Sequence, residues 1–300
     1  YTEPYYTDDG ISRQLGLFFR EIDTGRTLLS DYVINNKGMR VHYGIPLTEY
    51  SRFGVGVDLS NTEIIPSAFS LFEVQEFLDI NGNDFDQLTS TLSYVYDSRN
   101  RSIFATTGTR QNMSVEAALP LSDLEYYKFN YIADYYWPVS KRTLFHFKYN
   151  VGAGFVPGDD DDIGLPFFEK YVAGGINTLR GYEPRSIAPR GRLLDPDTGD
   201  FEESKTPLGG DLMTVGSLEY ILPPLGDGAS SRAVLFYDFG NVFEKTDDFD
   251  VDEFRSSYGV ALNWLAPIGP MTFSYSYPLE YEDKDRENIE RFDFSIGGVF

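Results

Sequence analysis

"TLFHFKYNVGAGF", Thr143 to Phe155, reads in steps of two. Phe145, Phe147, Tyr149, Val151 and Phe155 fall on one side of an extended chain. His146, Lys148, Asn150, Gly152 and Gly154 fall on the other. Successive strand side chains point to opposite faces, so this alternation predicts a strand with one apolar and one wet face. The apolar face is mostly aromatic. The wet face carries small, amide and charged residues. A soluble sandwich would alternate too, but with Val, Ile and Leu inside and shorter strands. Aromatic residues on one face and a polar lining on the other suit a membrane barrel.

The same period runs on in both directions. "YYKFNYIADYYWP" sets Tyr127, Phe129, Tyr131, Ala133, Tyr135 and Trp137 against Lys128, Asn130 and Asp134. "MTFSYSY" sets Met271, Phe273, Tyr275 and Tyr277 against Thr272, Ser274 and Ser276. "RFDFSIGGVF" sets Phe292, Phe294, Ile296 and Phe300 against Arg291, Asp293 and Ser295. Strands are predicted near 12–22, 37–47, 51–62, 88–98, 109–119, 126–138, 143–155, 211–222, 231–242, 255–265, 271–277 and 290–300. Most have about 10 residues, the length of a tilted strand across a bilayer. Tight connections (48–50, 139–142, 266–270) contrast with long acidic ones (63–87, 156–210, 243–254, 278–289). The expected fold is an all-β, antiparallel transmembrane barrel of about 12 strands, with no helical interruption. It forms one domain over residues 1–300.

Composition narrows the function. The chain carries 22 Tyr and 24 Phe, and tyrosine suits a membrane–water boundary. A net charge of −22 argues against nucleic acid as a partner. With no cysteine there is no disulfide framework, thiolate metal site or cysteine nucleophile. No apolar run is long enough for a transmembrane helix. The opening "YTEPYYTDDG" reads like the middle of a fold, so an N-terminal part is expected to precede it. The two histidines, His42 and His146, form no paired-ligand spacing, and no nucleophile or phosphate-loop motif is present. Neither a catalytic residue, a metal site nor a cofactor is expected. The run "DDDD" (159–162) reads either as a solvated acidic loop or as a cation collector beside lipopolysaccharide.

The segment 156–210 is far longer than a connection requires, and such loops are usually functional or disordered. Its later part, 193–210, reads as a mobile tip. Between the polar stretches lies "VAGGINTLRGYEP" (172–184), where glycines permit tight turning and Arg180 sits at the tip. A cation inside a barrel needs a carboxylate on the wall. Glu219 and Asp238 lie on the wet faces of the next two predicted strands. Either the loop folds into the lumen and Arg180 meets these two residues, or Arg180 is a surface arginine on a floppy loop.

"GGINTLRGY" is followed in order by "GSLEYILP", "FYDFGNVF", "LNWLAPIGPMTFSYSYPL" and a terminal "FSIGGVF". Together they resemble the BamA family of outer-membrane assembly factors over essentially the whole chain. "LSYVYDSRNRSIFATTGTRQNMSVEAALP" (92–120) resembles that family's segment with an aspartate, a phenylalanine and T-x-G. The resemblance implies that 156–210 is loop six, with Leu179, Arg180, Gly181 and Tyr182 as its tip and Glu219 and Asp238 as lumen partners. It implies a sixteen-stranded parent barrel whose first four strands and periplasmic repeat domains are absent here. It implies an integral outer-membrane protein, its C-terminus periplasmic and its long loops extracellular. The implied function is folding and inserting other barrels through a weak seam. The final strand, with Phe292, Phe294, Ile296, Gly297, Gly298 and Phe300, would form one side of that seam. The two glycines either weaken its pairing or merely permit curvature. Phe300 also resembles the aromatic end by which barrels are recognised as clients. The implied partners are outer-membrane lipids and lipopolysaccharide, unfolded outer-membrane proteins, and accessory assembly lipoproteins. A polypeptide-secretion transporter of the same superfamily and a passive pore are the alternatives.

Overall fold

The computed structural model describes all residues except 25–31, 68–69, 159–163, 195–198, 224–229 and 298–300. The acidic run 159–162, Gly298 and Phe300 therefore lie outside the described residues. The chain begins with β1 (Thr2–Glu3), β2 (Ser12–Asp23), β3 (Tyr32–Pro46) and β4 (Ser51–Pro66). A helix, α1 (Phe72–Asn81), precedes β5 (Asp84–Asp97), β6 (Gly108–Ala118), β7 (Tyr127–Pro138) and β8 (Leu144–Phe155). A hairpin of β9 (Arg190–Leu194) and β10 (Phe201–Pro207) interrupts the series. Then come β11 (Leu212–Ile221), β12 (Ser231–Phe243), β13 (Arg255–Ala266), β14 (Gly269–Glu280) and β15 (Phe292–Ile296). Thirteen strands pair in sequence order as one antiparallel sheet, with β8 joined directly to β11. Among the described residues, no pairing joins the β1–β2 edge to β15.

The alternation has the expected sense. Phe145 and Phe155 lie exposed on the outside, while His146 between their parities is buried. Leu235 and Tyr237 face out and Asp238 is fully buried. Leu17, Phe19, Leu59, Trp137 and Val260 add to the exposed apolar belt. Strands β3 and β4, with 15 and 16 residues, outrun the predicted segments and the bilayer. Their extra length combines polar pairs, Asn35 on Glu63 at 3.2 Å and Asn36 on Thr62 at 2.8 Å, with the buried Tyr32 and Ile64.

Two expectations for the connections are corrected. Helix α1 interrupts the strand pattern between β4 and β5. Leu71, Val74 and Leu78 stand three and four residues apart, so they share one helical face and are buried together. Gly82 ends the helix at φ +84. This short stretch is masked in sequence by the longer period-two runs on either side. The segment 193–210 holds most of the β9–β10 hairpin, with Leu194 opposite Phe201, rather than a mobile tip. It is fastened to α1 by Arg192 on Glu73 at 2.7 Å and by Phe72 packed 4.5 Å from Phe201. A core of Tyr32, Ile64, Leu71, Val74, Phe85 and Phe167 joins these parts at the long-loop rim.

Candidate functional site

Strand register builds the site on the inner wall. One inward row runs Asp134, Lys148, Ser217, Asp238 and Ser257 across β7, β8, β11, β12 and β13. The next runs Tyr136, His146, Glu219, Phe236 and Gly259. Antiparallel partners lie directly opposite, so each row brings side chains from five strands together.

Arg180 enters this wall from the long loop and lies across both rows. Its Nε donates to Asp238 Oδ2 at 2.7 Å and Nη2 to Asp238 Oδ1 at 2.7 Å. Nη2 also donates to Ser217 Oγ at 2.8 Å and lies 2.9 Å from Glu219 Oε1. The guanidinium centre sits 3.5 Å from the Phe236 ring centroid. The planar fork is matched to a carboxylate on one side and to a ring face below it. The main chain is held as well: Arg180 N–H donates to Asp238 and Ser257 Oγ donates to the Arg180 carbonyl. Glu219 extends the network. Its Oε2 is 2.9 Å from His146 Nδ1, and His146 Nε2 is 3.1 Å from Asp134. The imidazole stacks on Tyr136 at 4.1 Å.

The turn that delivers Arg180 depends on its glycines. Gly174 and Gly175 have φ of +109 and +83, and Gly175 N–H closes the turn on the Tyr182 carbonyl at 2.9 Å. Leu179 and Tyr182, both fully buried, pack with Ala173, Ile187, Met213, Val215 and Val242. The Tyr182 hydroxyl donates to the Glu280 carbonyl at 2.9 Å and reaches that of Ser256 at 3.3 Å. Burial first, then the nearby Asp285, pushes the phenol pKa up, so the hydroxyl keeps the proton it donates. Tyr182→Phe is expected to keep the packing and lose about 1–2 kcal/mol, as the hydroxyl's bonding to the Glu280 and Ser256 carbonyls is lost. The check is a modest fall in the temperature at which the heat-modifiable gel shift is lost.

The tip also meets the connection that leads into the last strand. The Gly181 carbonyl accepts from Glu290 N–H at 3.1 Å, and Glu183 N–H donates to the Asn288 carbonyl at 2.8 Å. Phe292, Phe294 and Ile296 point outward from β15 and are more than half exposed, while Asp293 points in. Gly297 lies outside the strand, a correction to its expected place in the final strand. It follows Ile296 at φ +82, and its N–H turns to the Pro270 carbonyl at 2.8 Å. A left-handed glycine here bends the chain out of extended geometry.

Ser217, Phe236, Ser257 and His146 complete the site without having been singled out as partners of Arg180. A second buried arginine, Arg255 on β13, was equally silent in the sequence. It binds Asp285 at 2.9 Å, Asn241 at 2.8 Å and Glu282 at 2.5 Å, and so anchors the 281–291 connection. Among the described residues, no cluster has the make-up of a metal site. The arrangement ties the loop to the wall through buried ion pairs and hydrogen bonds.

An Omp85 superfamily domain matches residues 1–300. The outer membrane protein assembly factor BamA of Neisseria meningitidis serogroup B is 27% identical over 337 residues, covering 100% of this chain and 41% of that protein. BamA of Nitratidesulfovibrio vulgaris is 27% identical over 309 residues, covering 100% of this chain and 36% of that protein. The chain thus spans less than half the length of these curated relatives. The crystal structure of BamA from Haemophilus ducreyi lacking POTRA domains 1–3 superposes with a TM-score of 0.88 at 26% identity. That match covers 100% of this chain and 61% of the other. CdiB from Escherichia coli, at a TM-score of 0.53 and 12% identity, covers 95% of this chain and 48% of its own, and shares the fold alone.

Proposed function

The chain belongs to the Omp85 superfamily, and on that premise we propose that it is the barrel region of an outer-membrane protein assembly factor. The observation that carries the proposal is the likeness to BamA over the whole chain, in sequence and in structure. CdiB, at 12% identity, gives the secretion alternative no support beyond the shared fold.

Insertion needs no chemical active site. An unfolded strand entering lipid carries unpaired backbone groups that hydrocarbon cannot satisfy. A seam beside a short, lightly paired strand lowers that barrier by pairing with the incoming strand. β15 suits the role: it has 5 residues, against 12 in β14. Loop six is the brace, with Leu179, Arg180, Gly181 and Tyr182 as its tip and Glu219 and Asp238 as its seats. The client is an unfolded outer-membrane protein. Accessory lipoproteins, outer-membrane lipids and lipopolysaccharide are its companions. The long-loop rim faces outward from the cell and the C-terminus faces the periplasm.

The test uses the full-length protein in liposomes with a urea-unfolded test barrel. Folding is read by heat-modifiable gel mobility. Faster folding than in empty liposomes is the expected result. Equal rates at matched lipid and protein content would remove the assembly function.

A further inference from the structure

The segment Ser98–Thr107 joins β5 to β6 at the short-turn rim, yet it does not run along that rim. Ala105 is buried among Tyr136, Leu144, Ile221, Val234, Phe236 and Ala261, all on inward faces of β7, β8, β11, β12 and β13. Phe104, also buried, turns at φ +55, a left-handed conformation that bulky residues rarely adopt. Such strain persists only where surrounding contacts enforce it. Arg232, buried near the start of β12, supplies them. It donates to the carbonyls of both Phe104 and Ala105, and its guanidinium lies 4.6 Å from the Phe104 ring.

The base of the segment is equally built. Arg99 binds Asp97 through two bonds of 2.9 and 2.8 Å. Asn100 accepts from the N–H groups of Thr106 and Thr107 and donates to the Thr106 hydroxyl. Gly108, at φ +98, brings the chain back so tightly that a Cβ would strike the Ser98 carbonyl. These residues account for the aspartate, the phenylalanine and the T-x-G read in the sequence. The two inserted segments come at the same stretch of wall from opposite rims. Arg180 covers Phe236 from one, and Ala105 packs in the cluster containing Phe236 from the other.

We infer that residues 98–107 are a second stopper of the lumen, held by Arg232, that seals the short-turn rim against ions and small solutes. This function is separate from assembly and stands without it.

The chain has no cysteine, so Ala105→Cys in the full-length protein places the only thiol in these 300 residues under the stopper. A bulky maleimide should label it slowly in liposomes. Adding Arg232→Ala should speed labelling roughly ten- to a hundredfold, the range set by losing hydrogen bonds from a charged donor. Without the cysteine, the Arg232→Ala protein should also show a higher conductance in planar bilayers. Phe104→Gly provides a second route: it removes the ring, suits the positive φ and leaves Arg232 intact. Folding of each variant is checked by heat-modifiable mobility. Equal labelling rates in the presence and absence of Arg232 overturn the inference. So does unchanged conductance in a variant whose thiol has opened. If neither Arg232→Ala nor Phe104→Gly folds, the segment is a folding element and not a seal, and the inference also falls.

Discussion

Arg180→Glu in the full-length protein is expected to abolish the heat-modifiable folded form, and adding Asp238→Arg is expected to restore part of it. Arg180 and Asp238 are both buried and share two bonds of 2.7 Å. Removing one partner of a buried pair costs about 3–5 kcal/mol, because the other charge is left without compensation. Reversal adds to that, since the introduced carboxylate would face both Asp238 and Glu219. The double change restores opposite charges, with a new arginine on β12 able to reach the loop and Glu219. Recovery should be incomplete, because the stacking on Phe236 and the bond to Ser217 belong to the original geometry. Arg180→Lys should fall between, keeping the charge and losing the two-pronged grip. Wild-type folding and client insertion by Arg180→Glu would show that the ion pair does not pin the loop.

What could be read in advance follows from periodicity. Asp238 and Glu219 share the inward parity of their strands, so their side of the wall follows from counting by two. Their separation from Arg180 does not, because it depends on how β8, β11 and β12 are staggered. That stagger sets His146 opposite Glu219 and Ser217 opposite Asp238. A serine or phenylalanine on a strand gives no hint that it will seat a guanidinium. Helix α1 escaped because one buried face of Leu71, Val74 and Leu78 is too short a signal beside two long strands. Residues 98–107 read in sequence only as part of the family-like segment 92–120, which does not say where they go. Only the contact with Arg232, more than a hundred positions away, reveals which way they turn.

Gly181→Val should be the most damaging uncharged change at the tip. Gly181 has φ +95, where a β-branched residue is an outlier. The left-handed backbone alone costs roughly 1–2 kcal/mol for a residue with a Cβ. A Cβ there would also lie 3.2 Å from the Ser276 Cβ and 3.4 Å from the Ser257 Cβ. Both serines are buried on strands, so neither can swing away as a surface side chain would. Valine then adds two methyl groups to a filled space, worth about 1–3 kcal/mol more. The combined loss of roughly 2–5 kcal/mol should appear as a lower urea midpoint for unfolding. Gly82 is the control, with φ +84 and nothing within 4 Å of a built Cβ. Gly82→Val should carry the backbone penalty without the crowding, and Gly181→Ala should lie between the two. Equal losses at Gly181 and Gly82 would mean that the serine wall does not press on the tip. A larger loss at Gly181 that Ser276→Gly partly relieves would locate the pressure there, where the loop meets β14 one strand from β15.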